Sequence, residues 1–143
     1  MSLIDKMLAD KTDKVTEKPK KDYEIKRFSQ IYGEPFLVEL RALDTELFSE
    51  ITDSSVKYTK KGRVEGVDNY KSGVKIVING TFDKESGAEL FKIKALLTHF
   101  KVATPEDLAN KLLLPGEMGD IAHVITELSG ANTEDDTNEI VKN

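Results

Sequence analysis

The 143-residue chain is 38% hydrophobic and 33% charged, has no cysteine or tryptophan, and carries a formal charge of −5. Without cysteine it can form no disulfide, thiol nucleophile or thiolate metal site, in keeping with a reducing compartment. The acidic balance argues against general affinity for nucleic acid, and apolar runs such as Leu112–Leu114 are far too short to span a membrane.

Residues 1–10 place Leu3, Ile4, Met7 and Leu8 on one helical stripe, too short to be a stable helix alone in water. No cationic-then-apolar signal segment is expected there. Lys11–Asp22 is dense in Lys, Asp, Thr and Glu, cannot offset its ordering entropy, and reads as a linker. The folded body is expected from Tyr23. Tyr23 and Ile25 alternate with Glu24 and Lys26 as in a strand, Gly33–Pro35 turn the chain, and Phe36, Val38, Leu40 and Ala42 mark one face of a second strand. The two suggest an antiparallel hairpin with a long connection. Asp44 or Thr45 then caps a helix that turns Leu47, Phe48 and Ile51 inward.

Val56–Val67 is polar and basic and reads as an exposed loop or small hairpin. Residues 68–80 are open to two readings: Val74, Ile76, Val77 and Ile78 favour a strand locally, whereas Asp68 as cap, the spacing Tyr70, Val74, Val77, Ile78, and Gly80 as terminator favour a helix. The helix is the expectation. Another is expected over Ala88–Lys101, with Leu90, Ile93, Leu97 and Phe100 on one face and Leu96 widening it.

Thr104–Gly130 has the sharpest signals. Thr104 caps a helix, Pro105 has the fixed φ suited to its first position, and Leu108, Leu112 and Leu113 follow at helical spacing. Pro115 ends that run and opens the next helix. Met118, Ile121, Val124, Ile125 and Leu128 are its apolar face, Glu117, Asp120, His123 and Glu127 its wet side, and Gly130 its left-handed cap. Residues 132–143 read as an acidic mobile tail. The expected fold class is α+β, mainly α-helical: an N-terminal antiparallel β-hairpin, then a compact helical bundle, with flexible termini. The expected organisation is residues 1–22 as amphipathic segment and linker, 23–131 as one folded domain, and 132–143 as tail.

Catalytic chemistry finds no foothold in the sequence. His99 and His123 lack companions at metal-ligand spacing. Glu134, Asp135 and Asp136 lack the alternation, glycine and terminal glutamate of a calcium loop. Lys57, Lys60, Lys61 and Arg63, with Tyr58 among them, form the only basic cluster and read as a solvated loop. Asn79-Gly80-Thr81 matches a glycosylation acceptor by letter alone.

The order of these pieces resembles the tail assembly chaperones of long-tailed phages, in particular the XkdN-like group from PBSX-type prophages and phage-tail-like bacteriocins. The resemblance covers roughly residues 22–131. It rests chiefly on the run from Val102-Ala103-Thr104-Pro105-Glu106-Asp107-Leu108 through Leu114-Pro115-Gly116-Glu117 to Leu128-Ser129-Gly130, and secondly on the Gly33-Glu34-Pro35-Phe36 turn. The chain departs from the group over residues 56–87, where a smoother helix is expected.

The resemblance implies a non-enzymatic factor, with no cofactor or metal, that binds the tape-measure protein in the bacterial host cytoplasm and keeps it soluble while the tail tube assembles. Tail tube protein and further copies of the chain are additional expected partners; nucleic acid and membrane are not. Leu3, Ile4, Met7, Leu8, Met118, Ile121 and Ile125 are the candidate partner-binding residues, the last three competing with an ordinary role in the core. The alternative is a structural subunit of a phage tail or a phage-tail-like bacteriocin particle.

Overall fold

The computed structural model describes residues 2–54, 56–58, 61, 62, 64–67 and 69–131. Its first helix, α1 (Leu3–Ala9), is held by a reciprocal cap: Ser2 Oγ accepts from the Asp5 amide at 3.1 Å, and Asp5 Oδ2 accepts from the Ser2 amide at 3.3 Å. Asp10 follows it, and its carboxyl is held below the usual carboxylate range by hydrogen bonds from Thr12.

Strand β1 (Lys20–Glu24) begins earlier than the linker reading allowed. Its entry is fixed by the Ala42 amide donating to Pro19 O at 2.9 Å, and Asp22 pairs with Lys84 at 2.5 Å. Between β1 and the second strand lies a helix the sequence reading missed, α2 (Lys26–Tyr32), which Gly33 closes in the left-handed conformation at φ 73°. Strand β2 (Leu37–Arg41) pairs antiparallel with β1, Glu24 opposite Leu37 and Lys20 opposite Arg41. As the alternation required, Val38 and Leu40 are buried. Helix α3 (Thr45–Ser54) starts with Asp44 Oδ1 accepting from the Leu47 amide at 2.8 Å.

Strands β3 (Val56–Tyr58) and β4 (Val64–Val67) form a small antiparallel hairpin. Of the basic cluster, Lys60 and Arg63 lie outside the described residues, as do the Asp68 cap and the acidic tail. Residues 69–80 form helix α4 (Asn69–Gly80), so the helical reading holds: long-range packing of Val74, Val77 and Ile78 overrides their local β preference. Gly80 is no left-handed cap, however. It is the buried last residue of the helix, and the chain runs straight into β5 (Thr81–Phe82), which adds to β2. The sheet order is β1-β2-β5.

The single helix expected over Ala88–Lys101 is two pieces. A 3₁₀ turn (Leu90–Lys92) and α5 (Lys94–His99) are separated by Ile93 in extended backbone, φ −71° and ψ 117°. The cause is tertiary. Glu89 bridges to Phe82 beside the sheet, and Phe91 enters the core at 1% exposure, a direction that a continuous helix through Leu90 and Leu97 would not give it. Helices α6 (Pro105–Leu112) and α7 (Pro115–Leu128) match their start signals: Thr104 Oγ1 accepts from the Asp107 amide at 3.1 Å, and Gly130 has φ 75°. Helix α4 packs between α6 and α7, with α7 also lying on β2, and the core they enclose includes Leu40, Val77, Phe91, Leu108, Ile121 and Ile125. The architecture is mixed α+β and mainly helical.

Candidate partner-binding surface

The structure divides the seven candidate residues into two groups. Leu3, Ile4, Met7 and Leu8 are 74%, 68%, 55% and 80% exposed on α1. Met118, Ile121 and Ile125 are 6%, 0% and 0% exposed in the core. These last three belong to the core cluster, where α7 packs on α4 and β2. A helical period shows which side chains share a face and is silent on what covers it.

Exposed apolar side chains outside α1 escaped the sequence reading. Ile31 and Tyr32, at the end of α2, are each 63% exposed, and Leu37, at the start of β2, is 45% exposed. The Phe36 ring is stacked on Tyr32 at 5.8 Å and edge-on to Phe28 at 5.1 Å, while alternation along β2 sets Leu37 on the face opposite Val38. The signal was present in the spacing of Phe28, Ile31 and Tyr32 ahead of Gly33, but two helical turns squeezed between strands read as connection.

Helix α2 is clipped to the corner between α6 and α7. Arg27 Nε donates to Glu117 Oε2 at 3.0 Å, and its Nη2 donates to Glu117 Oε1 at 2.9 Å and to Leu112 O at 2.6 Å. Glu117 Oε1 also accepts from the Leu114 amide at 2.8 Å, closing the first turn of α7. Glu117 therefore does not belong to the wet side of α7, where the sequence placed it. The Arg27 guanidinium holds its carboxyl below the usual range, and Arg27 is raised in turn.

The same region bounds a crevice of about 470 Å³, lined by Tyr23, Glu24, Arg27, Glu117 and Asp120 among others. Burial, then the Asp120 and Glu117 carboxylates, push the Tyr23 phenol up, so it stays protonated and is a poor base or nucleophile. His123 faces Glu127 across one helical turn at 2.8 Å, and the His99 ring is edge-on to Phe100. Among the described residues no group of three or more His, Cys, Asp or Glu could hold a metal ion, and no helix is long and apolar enough to cross a membrane. The described surface carries an exposed apolar stripe on α1 and exposed Ile31, Tyr32 and Leu37, and the Arg27–Glu117 ion pair fixes α2 beside α7.

Comparison with known proteins agrees with this reading of the architecture. The family model of phage XkdN-like tail assembly chaperone proteins matches residues 4–142. The crystal structure of the protein yqbn superposes with a TM-score of 0.55 at 20% sequence identity, covering 80% of this chain and 88% of that one, a likeness of fold. No curated protein shows significant similarity to the chain.

Proposed function

The chain belongs to the phage XkdN-like tail assembly chaperone family, and on that premise we propose that it binds the tape-measure protein in the bacterial host cytoplasm. It keeps that protein soluble while the tail tube assembles, and it makes and breaks no covalent bond. The match across residues 4–142 carries this reading. The exposed α1 stripe, together with exposed Ile31, Tyr32 and Leu37, supplies a physical means. A long helical protein with apolar stripes aggregates unless they are covered, and short apolar surfaces cover such stripes in the helix-in-groove manner. Each contact is small, so many copies along the filament hold it together through multivalency and still yield to polymerising tube subunits. Self-association of the chain would assist that coverage.

Co-expression with the tape-measure protein tests the proposal. The tape measure becomes soluble and co-purifies with the chain; an insoluble partner with no co-purification overturns it. Purified particles provide the second measurement. They lack the chain if it is a chaperone, whereas stoichiometric presence makes it a structural subunit.

A further inference from the structure

We propose that two copies of the chain pair antiparallel through the outer edge of β1, joining their sheets into one. The Ala42 amide donates to Pro19 O at 2.9 Å and the Ile25 amide to Phe36 O at 3.0 Å. In the register of the ladder, Pro19, Lys21, Tyr23 and Ile25 therefore turn their backbone groups toward β2. Lys20, Asp22 and Glu24 turn theirs outward, and no described residue bonds them. Pro19 lacks its amide on the β2 side, so it leaves the outer edge intact. The far end of the sheet is different: β5 has two residues, and Phe82 there bridges to Glu89. Strand β1 is thus the open edge of the three-stranded sheet, and its row of amides and carbonyls is matched by another strand, not by a helix such as α1.

Side-chain charge identifies the strand that fits. Lys18, Lys20, Asp22 and Glu24 are exposed and fall on one face by alternation. Edge lysines ordinarily keep copies apart, because like charges meet. Here the sign reverses halfway along. With Lys20 opposite Asp22 of a second copy, the two-fold axis also sets Lys18 opposite Glu24, so every pair on that face joins opposite charges. Sliding the register to put Lys20 opposite Glu24 would place Asp22 against Asp22, and a parallel copy in register would set like against like throughout.

A strand of another protein meets this order of charges only if it happens to carry the reverse order, whereas β1 of a second copy carries it already. Folding back is excluded, since a strand cannot pair with its own edge. The cost falls on the opposite face, where the axis brings Lys21 to Lys21; the Asp120 and Glu117 carboxylates that act on neighbouring Tyr23 offset that repulsion. A five-residue edge buries less than the ~1,000 Å² of a stable interface, so the dimer is weak and reversible.

The experiment uses the full chain without any partner, so a negative result leaves the tape-measure proposal standing, and failure of co-expression leaves this one standing. Sedimentation equilibrium should show a monomer–dimer equilibrium that weakens with added salt. The pair Lys18→Glu and Lys20→Glu, or the pair Asp22→Lys and Glu24→Lys, should each raise the dissociation constant about tenfold or more. Mixing the two variants sets acid against base along the whole edge and should restore the dimer, which also shows that both still fold. Amide exchange reads the backbone: Lys20, Asp22 and Glu24 should slow as concentration rises, while Lys21 and Tyr23 are slow throughout. The axis brings the two Lys21 Cα atoms to about 4.5 Å, within disulfide range. Because the chain has no cysteine of its own, Lys21→Cys should oxidise to a covalent dimer about tenfold faster than Asp22→Cys. A monomer at every concentration, a dimer indifferent to both charge reversals, exchange that slows equally at Lys21 and Asp22, or cross-linking no faster at 21 than at 22 overturns the pairing.

Discussion

Gly80 and Ile125 touch so closely that no side chain fits between them. A Cβ on Gly80 would lie 2.7 Å from Ile125 Cδ1 and 2.8 Å from its Cγ2, with Arg41 O at 3.1 Å behind. This contact lets α4 and α7 approach at the end of α4, where the chain becomes β5 and α7 crosses β2.

Gly80→Ala therefore destabilises the fold by about 1–3 kcal/mol, although alanine is the better helix former, because Ile125 is fully buried and the carbonyl of Arg41 is backbone. Ile125→Ala alone costs about 2–5 kcal/mol through the cavity it leaves. The double variant should be less destabilised than the sum, since the alanine at 125 vacates the space the new Cβ needs. Chemical denaturation of the four proteins measures the coupling, and strict additivity would mean that the two residues do not share that space.

Thr81 follows directly and presents the opposite case. It is 0% exposed, and its hydroxyl has no hydrogen-bond partner among the described residues. A buried, unpaired hydroxyl carries its desolvation cost without return. Thr81→Val keeps the shape and should stabilise the chain by about 1 kcal/mol, whereas Thr81→Ser keeps the hydroxyl, removes the methyl and should destabilise it. A loss of stability in the valine variant would reveal a partner for the hydroxyl.

These two neighbours also show what the sequence could and could not reveal. Helices opened by a side-chain cap or a proline, such as that from Thr104 and Pro105 and that from Pro115, were legible because the signal is local. Strand β2 was legible because one of its faces is buried and the pattern alternates. Gly80 was legible as the end of α4, but its contact with Ile125 was not, since nothing nearby in sequence announces that residue. Helix α2 begins at Ile25 without a side-chain cap and lasts two turns, leaving only Gly33 to mark it. The run from Ala88 to Lys101 has helical spacing throughout, and only the bridge to Phe82 and the burial of Phe91 break it. For the candidate surface, the α1 stripe was visible in the spacing of Leu3, Ile4, Met7 and Leu8. The exposure of Ile31 and Tyr32 was not, because the short helix that carries them has no side-chain cap to announce it.

Ser129 joins two distant segments in a way that a conservative substitution can expose. Its hydroxyl accepts from the Leu43 amide at 2.9 Å and donates to Ile125 O at 2.7 Å, fastening the exit of β2 to the end of α7. Leu43 is buried, so Ser129→Ala strands its amide and should cost about 1–3 kcal/mol. Amide exchange at Leu43 should accelerate in the variant, while Val77 in α4 retains its protection until global unfolding. Equal acceleration at both sites would show that the hydroxyl acts on the whole fold and not on this seam.

The Arg27–Glu117 clip makes the corner between α6 and α7 sensitive to acid. The guanidinium lowers the Glu117 carboxyl in the folded state, so the unfolded chain takes up a proton at a higher pH than the folded one. The stabilisation is fully present above the ordinary glutamate pKa. It fades as pH falls through the lowered folded value, where Glu117 protonates and releases both Arg27 and the Leu114 amide. Glu117→Gln removes the charge at every pH while leaving an amide oxygen that can accept from Leu114. The variant should therefore be less stable than the parent at neutral pH, and the gap should narrow steadily on acidification until both unfold alike. Melting temperatures of the two proteins from neutral to strongly acidic pH give that difference directly. A gap that stays constant across the range would mean that Glu117 contributes through packing, with its charge irrelevant to the corner.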